Sequence, residues 1–400
     1  MKTEIKQRIA QLNNGEVPNG YKKTEFGIFP CDWVTDKKLK DLGSFGKGKG
    51  LPGDKMTTEG VPCVGYGDIY MKYNHFHFEE AQTFVDEETA SESQPIHKGT
   101  LLFTGTGETA DEIGKCVCYN GNETIYAGGD IITFVSKEVN PLFLAYQQYQ
   151  EFSLRKKASY GQGHSVVHIQ RENLEKLNAA HPKSTEEQSK IAETLMKWDE
   201  AIELRDKYIE VLKKRQKALM QKLLTPCETW PQYRLGDICD IRTGNKNTQD
   251  NVPTGAYPFF VRSSQVERIN SYTYDGEAIL IPGDGNIGEI FHYINGKFDY
   301  HQRVYKISDS KTVEMKYLYY YLKQNLKRRV ISLSAKATVD SLRMDMLTDM
   351  TIAVCPKYND VVNVLCLLDN EIEINDSIIN QIKQQRKALQ QYLLNGIVRV

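Results

Sequence analysis

Four hundred residues are more than one small core needs and suit two domains with connecting elements. With 40% apolar and 26% charged residues the chain reads as an ordinary globular protein. Its formal net charge of −1 excludes an indiscriminate polycation, so any nucleic-acid surface must be a local concentration of basic side chains. No stretch reaches the roughly 18 apolar residues of a membrane helix, and no apolar leader is seen at the start. Cys116 and Cys118 stand one residue apart and the other cysteines fall singly, a pattern that fits neither a zinc site nor a disulfide framework. Reduced thiols in a cytoplasmic protein are the expectation.

In chain order, residues 1–20 read as a helical arm and residues 21–165 as a first globular domain. That domain carries Trp33 followed by Leu39, Asp41 and Leu42, then Pro62 with Val64. The run Leu101–Gly107 and the pair Ile113-Gly114 come next. Asn120-Gly121 between β-rich runs signals a hairpin. The basic triplet Arg155-Lys156-Lys157 precedes a loop rich in small residues. Residues 166–225 form a central region, where Pro182 and then Ser184, Thr185, Glu186 and Glu187 supply a break, a cap and first-turn acids for a long helix. Ile191, Leu195, Trp198, Ile202, Arg205, Ile209, Leu212, Gln216, Leu219 and Leu223 then alternate in steps of three and four, the seam of a coiled coil.

Residues 226–338 read as a second domain that repeats the marks of the first. Trp230 precedes Leu235, Asp237 and Ile238, Pro258 accompanies Phe260, and Ile279–Gly285 matches Leu101–Gly107. Ile287-Gly288, a second hairpin signal at Asn295-Gly296 and the triplet Lys327-Arg328-Arg329 follow in the same order. Residues 339–400 close the chain with another long helix beyond Pro356. Its seam is Val361, Leu365, Leu368, Ile372, Asn375, Ile379, Ile382, Arg386, Leu389 and Leu393.

Laid 170 residues apart without a gap, Ile191–Leu224 and Val361–Leu394 agree at 13 of 34 positions. Their polar breaks coincide, Arg205 with Asn375 and Gln216 with Arg386. Polar seam residues cost stability but fix register, so the helices are expected to pair with each other. The expected fold is α+β: two similar mixed α/β recognition domains separated by two long antiparallel coiled-coil helices, a pseudo-two-fold internal repeat. At about 1.5 Å per residue each seam would be roughly 50 Å long, the length of a spacer. Two related but dissimilar readers joined by such a spacer suit an asymmetric DNA target in two halves.

No enzymatic signature emerges. Phe103, Gly105 and Gly107 fit the Phe-x-Gly-x-Gly of an S-adenosylmethionine loop, but the element recurs in the second domain with Ile281 for Phe103, and no Asn/Asp-Pro-Pro-Tyr/Phe segment accompanies it. There is no Gly-Lys-Ser/Thr phosphate loop. His75 and His77 alternate as in a strand, with no further ligand to complete a metal set. No catalytic residue, metal or cofactor is expected in this chain.

Several motifs together resemble the specificity subunit of type I restriction–modification enzymes. Tyr21-Lys-Lys-Thr24, Gly27, Pro30 and Trp33 look like the beginning of that family's first target-recognition domain. Pro182, Glu187-Gln188, Ile191-Ala192, Leu195 and Asp199 look like the start of its central helix. Lys217-Ala-Leu with Leu223-Leu224, echoed by Lys387-Ala-Leu with Leu393-Leu394, match its helix ends. The resemblance implies a non-catalytic subunit that binds double-stranded DNA and holds two methyltransferase subunits, joined by restriction subunits. Those partners would use S-adenosylmethionine, ATP and Mg2+. Met196, Leu204 and Ile374, apolar and off the seam, are candidates for docking them. A coiled-coil scaffold for protein binding, without DNA specificity, is the alternative reading.

Base edges are read by Arg, Lys, Asn and Gln, and phosphates by basic and hydroxyl groups. In the first domain the DNA-contacting candidates are Lys47, Lys49, Lys55, Tyr66, Lys156, Lys157, Gln162 and His164. In the second they are Arg242, Lys246, Asn247, Arg262, Ser263, Gln265, Arg328, Arg329 and Lys336. Arg262 ranks first, because it falls near Tyr66 in the repeat, just after a predicted strand.

Overall fold

The computed structural model describes residues 3–73, 76–163, 165–333 and 341–400. His75, His164 and Lys336 lie outside these. Two compact units divide the chain, Met1–Leu204 with Ile379–Val400 and Arg205–Ile378.

In the first unit a five-stranded sheet runs Gly43–Lys47, Ile131–Ser136, Thr100–Thr104, Cys116–Tyr119, His77–Phe78, and a four-stranded sheet runs Thr83–Val85, Val61–Val64, Ile125–Ala127, Gln94–Ile96. Thr100–Thr104 is buried along its whole length. Leu101 and Phe103 pack into one core cluster while Leu102 packs into another. A strand covered on both faces has no polar side to show, which is why Leu101, Leu102 and Phe103 are apolar in succession rather than alternating.

The second unit has one six-stranded sheet in the order Asp240–Thr243, Val304–Ser308, Tyr274–Pro282, His292–Tyr300, Tyr257–Phe260, Glu267–Ile269. Ile279 and Ile281 again face one cluster, and Ala278 and Leu280 another. The repeat seen in sequence extends to strand register. Ile131 lies opposite Thr104 as Val304 lies opposite Pro282. Ala127 pairs in parallel with Val64 as Tyr300 does with Phe260. Gly48 and Gly244 occupy matching crossings: a Cβ would come 1.8 Å from the Gly128 carbonyl in one and 2.0 Å from the Tyr300 carbonyl in the other. Only glycine lets backbones approach this closely.

The two hairpin expectations fail. Asn295-Gly296 lies inside the strand His292–Tyr300, where Gly296 faces Gly276 of the neighbouring strand. The runs on either side of Asn-Gly pair with that same neighbour, so the chain continues straight on. Asn120-Gly121 follows Cys116–Tyr119, but the next strand, Ile125–Ala127, belongs to the other sheet, so the segment is a crossing between sheets.

Both long helices form, Thr185–Leu224 and Tyr358–Leu394. Ser184 caps the first, its hydroxyl accepting from the Glu187 amide at 3.3 Å. Within the second unit Arg205 binds Asn375, Tyr208 binds Glu371 at 2.5 Å and Gln216 binds Asp369, partners that descend in number as the first helix ascends. The helices are therefore antiparallel. Of the seam, Ile191, Leu195, Ile202, Ile209, Leu212, Val361, Leu365, Leu368, Ile372, Ile379 and Leu393 are buried. Trp198, Leu219, Leu223, Ile382 and Leu389 are half-buried. The helix ends also close the globular cores: Ile191, Leu195, Leu393 and Leu394 join the core of the first unit, and Met220, Leu224, Val361 and Leu365 that of the second.

A matching polar cluster sits on the long helices in each unit. In the first, buried Asp199 receives Arg386 (Nε 2.7 Å, Nη2 3.0 Å) and the Tyr146 hydroxyl (2.8 Å). In the second, Asp369 receives Gln216 and the Tyr320 hydroxyl. Burial and the adjacent carboxylate push both phenols well above their ordinary range. Asp199 and Asp369 are matched in the helix repeat, as are Gln216 and Arg386.

Candidate nucleic-acid interfaces

In the first unit, Lys47 ends the edge strand Gly43–Lys47 and borders a cleft of about 320 Å³ with Gly105, Thr106, Asp130 and His168. Gln162 stands beside it, bridged to His168 by backbone hydrogen bonds of 2.8 and 3.0 Å, and the His168 ring meets the Thr106 hydroxyl at 3.2 Å. A second cleft, about 530 Å³, is bordered by Gly50, Tyr66, Met71 and Lys72 and shares Gly129 and Asp130 with the first. Tyr66 opens the short helix Tyr66–Met71 and is 43% exposed. Exposed Lys49 is fixed through its amide, which donates to the Ala127 carbonyl at 3.0 Å, and exposed Lys55 closes the turn Gly53–Lys55. Lys47 and Tyr66 thus border adjoining clefts that share Gly129 and Asp130, with the backbone of Lys49, Lys55 and Gln162 close by.

The triplet Arg155-Lys156-Lys157 is not part of that face. It lies in the helix Glu151–Tyr160. Arg155 and Lys156 border a different groove, with Phe26, Gln391 and Asn395. Lys157 is wholly buried, donates to the Gly114 carbonyl at 2.8 Å, and burial pulls its ammonium down to about 8. Its expected DNA contact is withdrawn, because no part of the amine reaches the surface.

In the second unit the loops at the equivalent sheet end converge. Lys246 bridges His301, and its carbonyl accepts from the Gln302 amide at 2.8 Å. The Asn247 carboxamide oxygen receives the Gln302 side chain at 2.6 Å. Arg262 and Arg303 both bind Asp284 Oδ2, at 3.3 and 2.9 Å. Burial would raise the Asp284 carboxyl, but the two guanidiniums outweigh it and hold it below its ordinary value. Ser263 sits next to Arg262, its carbonyl against His292 Nε2 at 3.2 Å, and its hydroxyl donates to the Gln265 carbonyl at 3.1 Å. Lys246, Asn247, Arg262, Ser263 and Gln265 therefore share a face.

Arg242 lies apart on the edge strand, held by Asp240 at 3.0 Å. Arg329 is half-buried and donates to the carbonyls of Met346 and Asp349, at 3.1 and 2.8 Å, an anchoring role that takes its fork away from DNA. Arg328 is exposed on the helix Met315–Leu333.

Sequence reading missed Asp284, Gln302 and Arg303 in this face, and Thr106, Asp130 and His168 in the first. The signal was present. Asp284 and Thr106 fall inside the matched runs Ile279–Gly285 and Leu101–Gly107, and His301-Gln302-Arg303 precedes the strand Val304–Ser308 where Gly128-Gly129-Asp130 precedes Ile131–Ser136, so extending the repeat by one loop would have brought in Gln302, Arg303 and Asp130.

With this geometry in view, a family model for the type I restriction modification DNA specificity domain matches residues 30–214 and again 227–384. A specificity subunit of the type I restriction enzyme EcoDI from Escherichia coli is 30% identical over 42% of this chain and 38% of its own length. A putative type I restriction enzyme specificity subunit from Methanocaldococcus jannaschii, MjaX, is 24% identical over 95% of this chain and 97% of its own. Among solved structures, the S subunit of a type I restriction–modification system from M. genitalium superposes with a TM-score of 0.61 at 15% identity, covering 94% of this chain and 97% of that one. A chain from a study of complex assembly and conformational transition in the type I system superposes at 0.54, with 13% identity, over 96% and 100% of the two chains. Among the described residues no helix is long and apolar enough to cross a membrane.

Proposed function

The chain belongs to the type I restriction–modification DNA specificity family, and from that premise we propose that it reads an asymmetric DNA target in two halves, one per unit, and presents that target to methyltransferase and restriction subunits. The observation that carries the reading is a shared framework with dissimilar rims. Strand register makes Lys47 equivalent to Thr243, Tyr66 to Arg262, Thr106 to Asp284 and Asp130 to Arg303. Backbone positions that match while the outward side chains differ are what two readers of different sequences require. The long helices act as the spacer between half-sites. Methyl transfer, DNA translocation and cleavage, with S-adenosylmethionine, ATP and Mg2+, belong to the partners.

Docking of those partners is assigned to apolar helix residues that the fold leaves in solvent. Leu204 is 69% and Ile374 59% exposed, whereas Met196 is half-buried and contributes less. The test is selection by the full-length chain from a duplex library. Two conserved blocks separated by a gap of fixed length are expected. Enrichment of one continuous block, or of nothing, contradicts the reading.

A further inference from the structure

Arg262, Asp284 and Arg303 form an arrangement that stability does not explain. Both guanidiniums approach the same carboxylate oxygen, at 3.3 and 2.9 Å, although they repel each other. Their side chains remain 48% and 64% exposed, and exposed ion pairs add little to folding. One negative charge between two positive ones leaves an excess positive charge facing solvent, in a face already holding Lys246 and the amides of Asn247 and Gln302. Each arginine binds Asp284 through Nη1 alone, which tethers the guanidinium and leaves its other donors uncommitted to that carboxylate. A guanidinium held in advance loses less freedom on binding, and its planar pair of donors matches the O6 and N7 acceptors of guanine.

We infer that Arg262 and Arg303 read guanine in the half-site of the second unit, with Asp284 as the residue that positions both forks. The inference rests on the proposed DNA-reading function. It also separates the units: at the equivalent positions the first unit carries Tyr66, Thr106 and Asp130, none of which offers two parallel donors. The first half-site is therefore read without a guanidinium at these points.

The test repeats the library selection with Arg262→Ala, Arg303→Ala, Arg303→Lys and Asp284→Ala, each checked for an unchanged melting temperature. Each arginine-to-alanine variant is expected to lose a guanine preference of about ten- to a hundredfold at its own position in one block, leaving the other block intact. Arg303→Lys keeps the charge but not the fork and should lose the preference as well. Asp284→Ala should weaken guanine selection while strengthening binding to unselected duplex, because it removes a negative charge; a merely structural residue would lower both. The inference is overturned if both arginine variants keep the wild-type guanine pattern, or if affinity falls equally for all sequences, as for a phosphate contact. Failure of the wild-type chain to select any split sequence would instead overturn the DNA-reading function on which it stands.

Discussion

Buried Asp199 and Arg386, with side chains 5% and 9% exposed, show how one residue pair constrains a helix interface. A buried carboxylate stripped of its cation is costly, about 3–5 kcal/mol in comparable cases. Arg386→Met should therefore destabilise by about that much in urea unfolding. Arg386→Gln should cost clearly less, since Gln216 already binds the equivalent Asp369 in the second unit; equal losses would show that the repeat does not capture the energetics. Lys157 permits a pH prediction with a definite sign. Its ammonium titrates near 8 in the folded chain, below its ordinary value, because of burial. The unfolded chain then holds the proton more tightly between about pH 8 and 10.5, so this residue makes stability rise with pH across that window and withdraws up to roughly 3 kcal/mol below it. Comparing wild type with Lys157→Met from pH 7 to 10.5 tests this: the difference in unfolding free energy should move in favour of the wild type as pH rises, and a constant difference would refute it.

Among elements, the long helices were the most legible in sequence. A three-four alternation can arise only from a helix with one buried stripe, and the ungapped repeat identified the partner. The strands inside each unit were legible as apolar runs, but their ends were not. Asn295-Gly296 carried a strong turn signal that lost to pairing on both sides with Tyr274–Pro282. Lys157 and Arg329 were misread for a related reason: a basic triplet on a helix shows its composition but not which member turns inward. The half of each candidate face that was missed, Asp284 and Arg303 above all, lies in loops whose neighbours in space are distant in sequence. At this scale Gly244→Ala is predicted to destabilise by at least about 1–3 kcal/mol, because its Cβ would meet the Tyr300 carbonyl at 2.0 Å; an unaltered urea midpoint would mean that the crossing relaxes. Leu204→Lys, at a solvent-exposed position, should leave the melting temperature of the isolated chain unchanged and weaken co-purification with the methyltransferase subunit.

For the whole molecule, the proposed function has one duplicated framework, dissimilar at its rims, read two different half-sites for a methyltransferase carried by another subunit. Sequencing N6-methyladenine across the genome of a host that makes this chain together with its modification subunit tests that claim most directly. One motif in two unequal blocks around a gap of constant length is expected, with a modified adenine in each block. An unmodified genome, or methylation at a single uninterrupted motif, would contradict it.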